Sequence, residues 1–410
     1  MVSQPDTARI PPAFATGTTE LRIGERTVTD LAGALGTPFY AYDRAVIDAR
    51  VAELRHHLPA RTRLSYAIKA NPMPELLAWL APRVDGLDVA SGGEIDRALA
   101  AGADPGTISF AGPGKGRHEL ARALDAGIVI GIESEGQHAT LEALAQERGA
   151  TPMVSLRLNP DFQLKGSGMR MGGGSQPFGV DVEQAPALLR RIHASGMQLA
   201  GLQVFAGSQN LRAEVIAEAQ QRSLDMALEL LREAPVAPTF INLGGGFGIP
   251  YFPGDRPLDV AAVTERLHGL DQQLAHALPD THLVLELGRY LVGEAGVYVT
   301  RVVDRKVSRG HTYLVTDGGM HHHLAASGNL GQVLRRNYPV AIANRLQQPG
   351  EETVTITGPL CTPLDVLADR IHLPRADADD LVAVFQSGAY GLTASPLGFL
   401  GHPAPAEVLL

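Results

Sequence analysis

The stretch 86-GLDVASGGEIDRALAAG-102 reads as one strand followed by one helix. An apolar run of strand length breaks at Ser-Gly-Gly, and the segment after it has helical spacing and closes on glycine. The same unit recurs on both sides. Strands are expected at 63-RLSYAIKA-70, 86-GLDVAS-91, 107-TISFAGP-113, 128-IVIGIES-134, 153-MVSLRLNP-160, 199-LAGLQVFAGSQ-209, 239-TFINLGGGFG-248 and 282-HLVLELGRY-290. Helices such as 93-GEIDRALAAG-102, 118-HELARALDAG-127, 183-EQAPALLRRIHASG-196 and 213-AEVIAEAQQRSLDMALELLREA-234 separate them. Eight such repeats over about 230 residues predict an α/β fold, a (β/α)₈ TIM barrel rather than a doubly wound sheet.

Beyond residue 290 the pattern changes. Segments 295-AGVYVTRVVDRKVS-308, 311-HTYLVTDGG-319, 353-TVTITGPLC-361 and 381-LVAVFQSGAY-390 read as strands joined by turns. The segment 21-LRIGERTVTDLAGALGTPFYAYD-43 also reads as strand material able to join them. The expected organisation is a barrel over 44–283 and a mostly-β C-terminal domain, 284–410, that recruits the N-terminal segment 15–43.

Composition narrows the classes of function. The 410 residues are 45% hydrophobic and 19% charged, ordinary for a globular enzyme. A net charge of -9 argues against a nucleic-acid partner. No apolar run reaches the roughly 18 residues that span a bilayer, and the first residues lack the pattern of a signal peptide. The one cysteine, Cys361, rules out an intrachain disulfide and suits a cytoplasmic protein. It is either core filler or a reactive thiol.

Active sites of such barrels gather at the C-terminal strand ends. Those ends carry Lys69, Asp88, Gly112, Glu133, Arg157, Ser208, Gly244, Gly245, Gly246, Glu286 and Arg289. Lys69 closes the apolar run 64-LSYAIKANP-72, either as an edge residue or as a nucleophile. The glycines of 242-NLGGGFG-248 form either a flexible turn or a cradle of backbone amides for an anion. Ser208 and the Arg289 guanidinium could serve the same anion. Glu286, inside an apolar strand, must be paired, whether with Arg289 or with a protonated ring nitrogen. A lysine, a phosphate cradle and a buried carboxylate are what pyridoxal 5'-phosphate requires.

With 66-YAIKAN-71, 88-DVAS-91, 207-GSQ-209, 243-LGGGFG-248, 286-ELGRY-290, 317-DGGM-320, 358-GPLC-361 with Asp365, and 388-GAY-390, the chain resembles the alanine-racemase-fold pyridoxal-phosphate decarboxylases over nearly its whole length. These include the ornithine, diaminopimelate and arginine decarboxylases. The resemblance implies that Lys69 binds the cofactor aldehyde and that Ser208, Gly244, Gly245, Gly246, Gly288, Arg289 and Tyr390 hold its phosphate. Glu286 would face the pyridine nitrogen, and Asp88 and Arg157 would line the site. Cys361 would come from the partner subunit of a homodimer and return a proton to Cα once carbon dioxide has left. Asp365 would lie near the substrate's distal group.

Two departures stand out. Phe205 occupies the place of the family's ring-stacking histidine, so an aromatic face survives without its charge. The sequence 317-DGGMHHHLAASGNLGQVLRRNYPV-340 replaces the segment with which diaminopimelate decarboxylases hold a free diamino acid. Its three histidines, His321, His322 and His323, are expected on a strand, where neighbours face opposite ways and cannot share a metal ion. The HHHLA run and GPLCTPLD look closest to the butirosin-type subgroup of antibiotic and polyketide-starter pathways, whose substrate is an amino acid on an acyl carrier protein. A glutamyl, aspartyl or 3-methylaspartyl thioester is then expected as substrate. Arg335 and Arg336 either contact the carrier or are a solvated pair. A free diamino acid such as diaminopimelate or ornithine is the alternative. A racemase, or a non-catalytic carrier of the cofactor, fits less well given Glu286 and the β-rich domain.

Overall fold

The computed structural model describes residues 6–7, 10–162, 169–170, 172–232, 234, 237–330, 332 and 335–410. The chain divides into two compact units, one of residues 51–249 and 257–288, the other of residues 1–50, 250–256 and 289–410. The cuts fall at 50/51 and 288/289, a few residues beyond the expected 43/44 and 283/284. The segment 250–256 belongs to the second unit, which the sequence did not signal.

The first unit is a closed barrel of eight parallel strands. They are β1 (Arg63–Ala67), β2 (Gly86–Val89), β3 (Ile108–Phe110), β4 (Val129–Ile132), β5 (Met153–Asn159), β6 (Gln198–Val204), β7 (Phe240–Asn242) and β8 (His282–Leu287). β8 pairs with β1 through Leu285↔Leu64 and Leu287↔Tyr66, which closes the ring. Serine and aspartate start the intervening helices. Ser91 and Ser134 accept from the amides of Glu94 and Gln137, and Asp259 from that of Ala262, each meeting an orphan donor of the first turn. Gly127 and Gly149 end two helices in the left-handed conformation. Leu64, Tyr66, Leu156, Leu202, Ile241 and Leu285 are fully buried, at about 1.5–3 kcal/mol for each aliphatic side chain. The barrel core is packed with these apolar side chains, among which a few buried polar groups such as Ser65, Ser155, Arg157, Gln203 and Glu286 stand out.

The second unit is built around the long strand Gly296–Ser308. It pairs antiparallel with His311–Thr316, Leu381–Val384 and the N-terminal strand Phe39–Tyr42. The N-terminal segment is therefore recruited into the β-rich sheet, and the C-terminal strand Ala406–Leu409 adds in parallel to Phe39–Tyr42. Two local expectations are corrected. Within 21–43 the residues Val28–Leu35 form a helix, because Thr27 caps it by accepting from the Asp30 amide and Leu31 and Ala32 turn into the core. The three histidines lie in a turn and coil after strand His311–Thr316, not on a strand, since Gly318 and Gly319 end the pairing.

Candidate active site

Lys69 stands in a single 3₁₀ turn, Ile68–Ala70, directly after β1. The turn is tied down by its own sequence: the Tyr66 hydroxyl donates to the Asn71 carbonyl at 2.9 Å, and the Met73 amide to Asn71 Oδ1 at 3.1 Å. This aims the Lys69 ammonium at two carboxyls. Nζ is 3.5 Å from Asp88 Oδ2 and 3.8 Å from Glu286 Oε1, and 6.0 Å from the Phe205 ring centroid. The lysine side chain keeps 41% of its surface exposed while both acids are buried, so the amine is the accessible member of the trio. Burial and the neighbouring Glu286 push the Asp88 carboxyl well above the usual range, against the pull of Lys69 and of a 3.1 Å bond from the Ser109 hydroxyl.

Glu286, on β8, receives two side-chain amides on one oxygen: Gln203 Nε2 at 2.6 Å and Asn242 Nδ2 at 3.1 Å. Asn242 Oδ1 accepts from the Gly244 amide at 2.8 Å. The glycine turn that follows cannot carry side chains. Gly244 and Gly246 have φ of +68° and +74°, and a Cβ on Gly245 would lie 2.2 Å from the Glu286 carbonyl oxygen. The Ser208 loop is seated on this turn, with the Asn210 amide donating to the Gly246 carbonyl at 2.9 Å. Gly288 is also packed tight: a Cβ there would lie 3.0 Å from that of Ala70.

A second charged cluster lies deeper in the barrel. Glu133 is met by Arg157 at 3.2 Å and Lys115 at 3.7 Å, and accepts from the amides of Gly112 and Gly179 at 2.5 and 3.1 Å. The Arg157 guanidinium also lies over the Phe178 ring. Burial drives the Lys115 ammonium down to about 8, with Arg157 adding to the fall and Glu133 and Asp88 opposing it. Arg157 is thus brought to the site anchored by Glu133.

The remaining expected residues belong to the second unit. Arg289 Nη1 donates to the Tyr251 hydroxyl at 2.7 Å, and its guanidinium lies over the Tyr390 ring at 4.6 Å. Its Nε is buried without a hydrogen-bond partner among the described residues. Tyr390 has a φ of +54°, a costly conformation for an aromatic residue and one found where geometry is held for function. Cys361 is exposed at the tip of the loop 358–365.

The Asp365 carboxylate is buried, with Oδ1 taken by the Met320 amide at 2.6 Å and Oδ2 by the Leu360 amide at 2.8 Å, so it staples its own loop. The histidines are also internal. His322 Nε2 bonds the Pro403 carbonyl oxygen at 2.9 Å and His323 Nε2 the Ser387 hydroxyl at 2.9 Å, while His321 stacks between His322 and His402. Burial lowers all three, His321 to about 4 and His323 to about 3, so they are neutral. Among the described residues no three acidic, histidine or cysteine side chains are placed to hold a metal. Arg335 donates to the Val366 carbonyl, and Arg336 stacks on Phe252 and pairs with Asp255. Both remain exposed at the surface.

These residues fit pyridoxal 5'-phosphate. The barrel offers an accessible amine, a carboxylate set to accept from a ring N–H, an aromatic face in Phe205 and a side-chain-free amide turn for a phosphate. Sequence reading missed Gln203, Asn242 and Lys115. The first two had a signal, being polar residues inside apolar barrel strands. Lys115 sits in a Gly-Lys-Gly loop that reads as an ordinary turn.

Comparison with known proteins agrees with this chemistry. Residues 44–293 match the family model described as "Pyridoxal-dependent decarboxylase, pyridoxal binding domain". The chain is 37% identical to the L-glutamyl-[BtrI acyl-carrier protein] decarboxylase of Niallia circulans, covering 95% of this chain and 92% of that one. It is 32% identical to the diaminopimelate decarboxylase of Methanothermobacter thermautotrophicus, covering 95% and 90%. In structure it is similar to the Helicobacter pylori diaminopimelate decarboxylase complexed with L-lysine, with a TM-score of 0.82 and 28% identity over 93% of each chain. A mutant of SrLDC in complex with PLP aligns with a TM-score of 0.79 and 26% identity, over 96% of this chain and 97% of that one.

Proposed function

This chain belongs to the pyridoxal-dependent decarboxylases, and from that premise we propose that it decarboxylates an acidic amino acid tethered to an acyl carrier protein. The observation that carries the tethered substrate is the 37% identity over 95% of the chain to a glutamyl-carrier-protein decarboxylase, against 30–32% for the diaminopimelate decarboxylases. In a tethered substrate the distal carboxyl is a thioester, so no cation is required to hold it. The segment 317–340 is consistent with that. Its histidines are buried, and its exposed Arg335 and Arg336 make contacts within the second unit while still open to a carrier.

When bound, pyridoxal phosphate supplies an electron sink for the pair left on Cα as the α-carboxylate departs. The Lys69 amine is the group that would hold the cofactor aldehyde. Glu286 would accept from the ring N–H. Phe205 offers its face to the ring. Ser208 and the amides of Gly244, Gly245 and Gly246 take the phosphate; Arg289, bonded to Gly288, and Tyr390 are assigned to it too. Asp88 and Arg157 line the substrate side. Orienting the α-carboxylate selects decarboxylation over racemisation.

Cys361 returns the proton to Cα, and a second copy of the chain presents it, so the working enzyme is a homodimer. A thiol that must stay reduced suits the cytoplasm. No helix among the described residues is long and apolar enough to cross a membrane.

The decisive test is mass spectrometry of purified enzyme with glutamyl-, aspartyl- and 3-methylaspartyl-carrier proteins beside free glutamate, ornithine and diaminopimelate. The expected result is loss of carbon dioxide from an acyl-carrier substrate. Turnover of free diamino acids alone would overturn the tethered reading while leaving the decarboxylase family intact.

A further inference from the structure

Glu286 does not stand alone. Two primary amides, both 4% exposed, converge on its Oε2: Gln203 from β6 at 2.6 Å and Asn242 from β7 at 3.1 Å. The orientation of Asn242 is fixed independently, because its Oδ1 accepts from the backbone N–H of Gly244 at 2.8 Å. Its NH₂ must then face Glu286. An amide NH₂ can only donate, so the two of them hold Oε2 as an acceptor and fix the orientation of the carboxyl group. They also leave Oε1 as the oxygen turned to the lysine side, 3.8 Å from Lys69. Asn242 makes one further link: it joins the carboxylate to the first residue of the glycine turn.

We propose that Gln203 and Asn242 are positioning residues that hold Glu286 as an aligned carboxylate for the cofactor's ring nitrogen, and that Asn242 sets the spacing between that carboxylate and the phosphate turn. This rests on the pyridoxal-phosphate reading of the site. The physical need is plain. Asp88, a second buried acid, lies within reach of the same lysine, so Glu286 has to be held in a fixed orientation beside it. Without donors on Oε2 the Glu286 carboxyl group would be free to turn away from the ring N–H.

Gln203→Glu and Asn242→Asp keep the shape but replace a permanent donor by one that donates only when protonated. The readouts are the dissociation constant of cofactor-free protein for pyridoxal phosphate from pH 5.5 to 8.5, and the ¹⁵N chemical shift of ring-labelled cofactor. At the alkaline end the expected result for each variant is at least about tenfold weaker binding and a ring-nitrogen shift that moves toward the unprotonated form. Acidification restores both in the variants and has no such effect on the natural protein. Binding of wild-type strength with an unchanged ¹⁵N shift across the range overturns the proposal, as does a loss of affinity that is flat with pH. If Asn242→Asp fails to fold because the glycine turn is disturbed, Gln203→Glu decides, since it leaves that turn intact. Failure of the natural protein to bind the cofactor would instead strike at the family reading and is distinguished by the wild-type control.

Discussion

The Nζ of Lys69 lies 3.5 Å from Oδ2 of Asp88, just beyond the C-terminal end of barrel strand β1. The tied 3₁₀ turn after β1 produces this approach, and it leaves the lysine accessible while its partner is sealed. The first prediction concerns the amine. Lys69→Ala is expected to lose the cofactor on dialysis and to lack the long-wavelength absorption of lysine-bound pyridoxal phosphate, with turnover falling below detection. Retention of both the band and the activity would remove Lys69 from the mechanism.

Asp88 predicts a pH dependence. Its folded-state carboxyl is raised by burial and by Glu286, so the fold keeps a proton that the unfolded chain releases above about pH 4. Stability of the cofactor-free protein must therefore fall as pH rises from there through the folded value. Asp88→Asn removes that loss. The thermal midpoint of the variant minus that of the natural protein should grow with pH, and a difference constant in pH contradicts the assignment.

How much of this was legible in the sequence depends on how local the signal is. The barrel strands and Lys69, Glu286 and the glycine turn follow from period, turn residues and a carboxylate in an apolar run. The helix Val28–Leu35 was misread because Thr, Val and Leu satisfy strand and helix alike, and only burial of Leu31 and Ala32 decides. The loop-holding contacts of Asp365 were not legible for a different reason: they depend on amides of Met320 and Leu360, which no pattern in one segment reveals.

The buried histidines predict acid sensitivity. His323 is driven by burial from the ordinary 6.5 to about 3, so between those values the unfolded chain binds a proton that the fold refuses. Stability is intact above about pH 6.5 and is lost as pH falls toward 3, by on the order of 5 kcal/mol for this group. In His323→Gln, which can still bond Ser387, the unfolding free energy measured against pH should have an acid slope shallower by about one proton. An identical slope would show that another group sets it.

If Cys361 serves the site of a second copy, two inactive variants can rescue each other. Lys69→Ala mixed with Cys361→Ala, after subunit exchange, should restore about a quarter of wild-type activity, because half the dimers are mixed and each carries one intact site. Cys361→Ala alone should bind the cofactor normally and turn over about 10²–10⁴-fold more slowly. No recovery in a mixture shown to contain mixed dimers would place all the chemistry within one chain.

Asp365 closes the loop that carries Cys361, and the fit is tight from both sides. A Cβ on Gly319 would lie 2.2 Å from Asp365 Oδ1 and one on Gly358 2.4 Å from Oδ2, so two glycines make room for this one carboxylate. Removing it leaves the amides of Met320 and Leu360 without an acceptor in a buried place, a cost of about 1–3 kcal/mol each. That cost can be avoided only by opening the loop to water, which would shift the already exposed Cys361 from its place. Asp365→Ala should therefore lower the thermal midpoint and kcat, while cofactor affinity stays as in the natural protein. The Michaelis constant should move little, because both carboxylate oxygens are taken up by amides of the loop. Asp365→Asn keeps one acceptor and should fall between the two. A raised Michaelis constant with an unchanged thermal midpoint would mean that Asp365 meets the substrate.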